Sequence, residues 1–194
     1  MRTSSIGRDD DAPRSTATQL ESAGRAVAHA TPTTMMAMYF DALSFLEDER
    51  EAWRPFEALD DLSDEELQRP VEAAHGWSGR DLMGHLVAWQ EVSLATAQEL
   101  AIGEQSATKE RMDPKRTTDE IDDEFLAAWR ARPLDELRER FRTVPGELRG
   151  YLTVVPEVRW IKNAAHQESF FGDTIDHYEE HAADLRAILA NAGR

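Results

Sequence analysis

The sequence predicts an all-α protein, an up-down four-helix bundle that follows a disordered N-terminal tail. Apolar residues recur at helical spacing through four long segments, period-two alternation is nearly absent (residues 151–155 come nearest), and there is no internal repeat. The chain has 194 residues, 41% hydrophobic and 31% charged, which suits amphipathic helices with well-solvated outer faces. That length accommodates one domain with its own core.

Residues 1–31 carry Ser, Thr, Ala, Asp and Arg with almost no large apolar side chains, so they cannot bury enough surface to offset the entropy of ordering. They form the expected tail, and residues 32–194 the expected bundle. A first helix follows Pro32, with Thr33 or Thr34 as cap, and carries Met36, Tyr39, Phe40, Leu43, Leu46 and Trp53 as a core stripe. Residues 60–76 read as a connection with an acidic turn at 63–67. Ser78 with Asp81 three residues on forms a capping-box-like start for a second helix that runs to about Gly103. Residues 104–116 read as a loop. Thr118 can then cap a helix through Ile121, Phe125, Leu126 and Trp129, and Pro133 makes the third element either a kinked helix or two helices. After Pro156 comes a short apolar piece around Trp160. The last helix begins near Phe170 and continues through Ile175, Tyr178, Leu185 and Leu189.

A formal charge of −16 opposes contact with nucleic acid or an anionic membrane surface, so a small molecule is the expected partner. The absence of cysteine removes disulfides, thiolate ligands and a cysteine nucleophile, leaving His and carboxylate as metal ligands. No apolar run approaches the ~18 residues of a membrane helix and no signal-peptide pattern is present, so a cytoplasmic monomer or homodimer is expected.

His177 and His181 stand four residues apart, which puts both imidazoles on one helix face, one turn apart, at the edge of the stripe of Phe171, Tyr178, Leu185 and Leu189. His85 shares its stripe with Leu82, Leu86, Trp89 and Leu100 and faces inward. Spacing leaves two outcomes open: the three meet at one ion, or His85 is a core histidine and the pair faces solvent. His29, His75 and His166 have no inward-stripe argument, although His166 could substitute as a ligand or acid/base group. Asp173 and Asp184 lie on the histidine face and can orient the ligands or serve only the helix itself. Tyr178, on the apolar stripe, reads first as a core position and second as a candidate proton donor. Trp77 and Trp89 read as packing.

Trp77, Ser78, Asp81, Leu82, His85, Leu86 and Trp89 form W-S-x-x-D-L-x-x-H-L-x-x-W, which resembles the signature of the DinB-like superfamily, in particular its ClbS/DfsB branch. Thr174, His177, Tyr178, Glu180, His181 and Asp184 form T-x-x-H-Y-x-E-H-x-x-D, which is similar to the C-terminal segment of that branch. The resemblance implies a DinB-like four-helix bundle over roughly residues 33–192, with His85, His177 and His181 as metal ligands; Tyr178 and Asp184, from their place beside those ligands, are the candidate catalytic groups. Residues 166–172 match only loosely. Three neutral imidazoles with an exchangeable position describe an open site, with zinc the first choice and nickel or iron next. An ion there would activate water or polarise a bound oxygen or thiol.

The resemblance implies hydrolysis or ring opening of a small electrophile, as in detoxification. It also admits the thiol-dependent branch of the superfamily, a mycothiol- or bacillithiol-type transferase or isomerase. In that branch the last-helix pair is more often Glu and His, from which His177 departs. A non-catalytic protein that binds a small ligand or a metal is the third alternative.

Overall fold

Short polar side chains set the helix starts in this chain. In the computed structural model, which describes residues 39–103, 105–110 and 115–194, the Asp41 carboxylate accepts the Ser44 N–H at the head of α1 (Ala42–Trp53). A 3₁₀ segment (Arg54–Asp61) leads to α2 (Asp64–Gln68), which opens on a Ser63–Glu66 capping box. A second 3₁₀ turn (Glu72–Ala74) precedes α3 (Gly79–Ile102), where Ser78 and Asp81 cap reciprocally. The short α4 (Ala107–Glu110) is followed by α5 (Thr118–Arg130), with a Thr117–Glu120 box, and by α6 (Leu134–Val154). A 3₁₀ turn (Glu157–Arg159) then leads to α7 (Ala164–Phe171), a π turn (Gly172–Asp176) and α8 (His177–Asn191). The protein is all-helical, and the described residues contain no strand. No helix among them is long and apolar enough to cross a membrane.

The expected second helix matches α3 from cap to cap, whereas four other expectations need correction. The Thr33 or Thr34 cap, Met36 and the tail lie outside the described residues. Among those described, α1 starts only after Asp41, and its buried face is Phe45, Glu49 and Trp53, so Phe40 and Leu43 are exposed rather than core. The cap of α5 is Thr117, not Thr118, because the Thr117 hydroxyl reaches the Glu120 N–H. Residues 107–110 of the expected loop are helical. The last helical stretch begins at Ala164, six residues before Phe170, since the Asn163 side chain caps it and the π turn carries it into α8. Of the two readings for the third element, two helices is the outcome. The chain turns at residues 131–133, and Pro145 is accommodated inside α6.

α3 is the central element, packing against α6, α5 and α8. It divides the core in two: Leu82, Leu86 and Val87 join Trp53, Phe141, Tyr178 and Leu185, while Leu94, Ala97 and Leu100 join Phe45, Leu148, Trp160 and Phe170. Polar side chains are buried with them: Glu49 from α1, Gln90 and Ser93 from α3, and Thr174 from the π turn. Glu49, 1% exposed, accepts from Arg149 Nη1 at 2.8 Å and from the Tyr178 hydroxyl at 3.1 Å. Its charge is thereby paired inside the fold, although burial still pushes its carboxyl up.

Candidate metal centre

His85 sits in the second turn of α3, one turn beyond the Ser78–Asp81 cap that fixes the helix start, and Asp81 is further held by Arg130 Nε at 2.7 Å. His177 opens α8 directly after the π turn, and His181 follows one turn later. The rings converge. His85 lies 4.7 Å, centroid to centroid, from both His177 and His181, and those two are 4.9 Å apart. One donor atom from each falls within 4.8 Å of the others. The closest approach, Nε2 of His85 to Nε2 of His177, is 2.7 Å.

Burial strips these rings of water. His85 is 2% and His177 8% exposed, and desolvation, reinforced by the neighbouring histidines, pushes their pKa values down to about 2 and about 3. Both are therefore neutral at physiological pH and keep a lone pair for a ligand bond. Each ring also has an oxygen facing its outer side. Asp184 Oδ2 lies 2.9 Å from His181 Nδ1, the Asp173 backbone hydrogen-bonds the His177 ring, and Asp122 Oδ1 lies 3.6 Å from His85 Nδ1. Neutral nitrogens turned inward with oxygens behind them fit a divalent transition metal, and imidazole-only ligation disfavours magnesium and calcium.

The expected site residues divide. His85, His177 and His181 are brought together, and Asp184 supports His181. Asp173 turns its carboxylate to Ser93 Oγ at 3.0 Å and serves the cluster through its backbone. Tyr178 takes the core alternative. It is 1% exposed, packs on Trp53 and Phe56, and its hydroxyl donates to Glu49 while accepting from Gln90 Nε2 at 2.7 Å. His166 is tied to the Arg159 carbonyl, and His29 lies outside the described residues. His75 is exposed, 3.8 Å from Asp184 Oδ1.

The tryptophans, expected as packing, also border the cluster. Trp77 stacks on His181 at 5.6 Å and meets His85 edge-on at 5.0 Å, while Trp89 lies 6.0 Å from His177 and donates its indole N–H to Asp122 at 2.8 Å. Asp122 itself was not singled out from the sequence. Its signal was there, because it shares a stripe with Phe125, Leu126 and Trp129 and is thus an acid on the apolar face of α5.

Residues 46–186 match the family model described as the mycothiol maleylpyruvate isomerase N-terminal domain. The chain belongs to this family. The family is part of the DinB-like superfamily, in agreement with the resemblance carried by the two histidine motifs, and the match does not extend to the ClbS/DfsB branch. No curated protein and no solved structure matches the chain.

Proposed function

We propose that this protein is a metal-dependent enzyme of thiol chemistry, an isomerase or transferase that uses a small thiol of the mycothiol type as co-reactant. The observation that carries the reading is the convergence of His85, His177 and His181 in a chain whose family is named for a mycothiol-dependent isomerase. That membership favours thiol chemistry over the hydrolysis or ring opening of the ClbS/DfsB kind.

The chain's own residues have separable tasks. His85 and His177, kept neutral by burial, offer ligand nitrogens without first losing a proton, and Asp184 orients His181. Trp77 and Trp89 are half-buried beside the rings and restrict the approach of water. Three neutral ligands leave a bound divalent ion its full charge, which favours the anionic form of a thiol. His177, standing where the thiol-dependent branch more often has Glu, strengthens that effect.

Cobalt substitution tests the proposal. The chain has no cysteine, so a thiolate-to-cobalt absorption band can arise only from an added thiol. Titration of the cobalt-loaded protein with mycothiol, or with a small-thiol surrogate, should produce that band in the wild type and not in the His85→Ala, His177→Ala, His181→Ala variant. Absence of the band in a cobalt-loaded wild type would sink the thiol reading. Turnover of strained-ring electrophiles without any thiol would then favour hydrolysis, and turnover with no substrate would favour a binding protein.

A further inference from the structure

His85 has a hydrogen-bonding problem that its own helix does not solve. Its Nε2 and the Nε2 of His177 are 2.7 Å apart, so one of them carries a proton and the other accepts it. The His177 ring also bonds the Asp173 backbone carbonyl, which requires a ring N–H. A neutral imidazole has only one such proton. His177 Nε2 is therefore the acceptor and His85 Nε2 the donor, which leaves His85 Nδ1 a bare lone pair. That atom is buried and has no hydrogen-bond partner. The group facing it is Asp122 Oδ1 at 3.6 Å, a second acceptor, held in place by the Trp89 indole N–H.

A buried acceptor aimed at a carboxylate is unfavourable as it stands and becomes favourable once the ring changes tautomer. We propose that Asp122 is the positioning residue of His85: when Nε2 of His85 turns its lone pair to a divalent ion, the ring proton resides on Nδ1 and the Asp122 carboxylate accepts it. The ring stays neutral throughout, and the proton moves from one nitrogen to the other. Two ~2.1 Å bonds at a tetrahedral centre hold their nitrogens ~3.4 Å apart, and an N–H···O bond closes at ~2.9 Å. Both present separations, 2.7 Å to His177 and 3.6 Å to Asp122, differ from those values by about 0.7 Å. One displacement of the ring, away from His177 and toward Asp122, satisfies both. Asp122 reaches His85 from α5, so it contributes from outside the two motifs that supply the ligands. The inference rests on the metal-holding part of the proposed function and is independent of the thiol.

The test is zinc affinity, measured by competition with a chromophoric chelator, for the wild type, Asp122→Asn and Asp122→Ala. Removing the acceptor in Asp122→Ala should weaken zinc binding about 10- to 100-fold. Asp122→Asn, which keeps an acceptor oxygen without the charge, should lose less, and both metal-free variants should keep the wild-type circular dichroism spectrum. In the zinc-loaded wild type, ¹⁵N-histidine NMR should find the His85 proton on Nδ1 and shifted downfield by the carboxylate, a shift that Asp122→Asn reduces. Equal zinc affinity in all three proteins, or an Nδ1 proton without the downfield shift in the wild type, overturns the inference while leaving the metal reading intact. A wild type that binds no zinc overturns both.

Discussion

At the scale of single residues, burial decides the state of the candidate site. Two histidines held neutral inside a fold make its stability depend on pH in a defined sense. In the unfolded chain each takes up a proton near pH 6.5, whereas in the folded protein His85 resists protonation down to about 2 and His177 to about 3. The unfolded state therefore binds more protons below pH 6.5, and the contribution is fully present above that value and lost as pH falls. With two such groups, metal-free protein should lose about 4 kcal/mol of their contribution between pH 7.5 and pH 5. Glu49 and Asp122, whose carboxyls are pushed up chiefly by burial, act in the opposite sense. Urea unfolding of the wild type and of the triple His→Ala variant, both in chelator, isolates the histidines. The wild type should weaken on acidification relative to the variant, and parallel pH profiles would show that the rings are hydrated. The histidines were legible in the sequence because helical spacing and flanking residues both marked them. Asp122 and Glu49 were harder to read for one physical reason: each is an acid on an apolar stripe, whose role depends on a partner from a distant element, Trp89 for one and Arg149 for the other.

At the scale of elements, the site depends on how closely α3 and α5 approach. A Cβ built on Gly84 would lie 2.9 Å from Trp129 Cβ and 3.3 Å from its Cγ. The nearer atom is anchored to the α5 backbone and cannot swing aside, so Gly84→Ala must push the helices apart. Overpacking of this kind costs about 1–3 kcal/mol, against a gain of about 1 kcal/mol in helix propensity. A net loss in urea unfolding is expected, accompanied by weaker zinc binding as Asp122 withdraws from His85. Gly150→Ala in α6 is the control, since a Cβ there meets nothing within 4 Å, and it should stabilise by up to about 1 kcal/mol. A Gly84→Ala variant that gains as much as Gly150→Ala would refute the close approach. The boundaries of α3 were readable because Ser78, Asp81 and Gly103 are local signals. The run from α7 into α8 was not, because the π turn that joins them adds backbone inside a helix, which no local residue signals. The stripe read from the sequence carries Phe171 and Leu189, which are only partly buried, whereas the side chains buried in the core are their neighbours Phe170 and Ile188.

At the scale of the whole molecule, the three histidines join helices that are distant in the chain. His85 and His177 are 92 residues apart, and their helices carry side chains of the same apolar cluster, one toward the middle of the sequence and the other at its C-terminal end. The all-helical class and the superfamily could be read from periodicity and two short motifs, because a bundle of amphipathic helices repeats one pattern. Convergence of the motifs could not, since it depends on the angle between α3 and α8, which neither motif encodes. An ion held across this junction binds the native state and not the unfolded chain, so its binding free energy adds to folding stability. With zinc at about 1,000 times its dissociation constant, the gain is about 4 kcal/mol, which corresponds to a rise of about 8–16 °C in Tm for a domain of this size. Differential scanning calorimetry with zinc and then with excess chelator should show the rise and its full reversal. The triple His→Ala variant should show neither, because among the described residues no other group of histidines and carboxylates is gathered around a common point. A wild-type Tm indifferent to zinc, or an equal rise in the variant, would place any bound metal elsewhere than across α3 and α8.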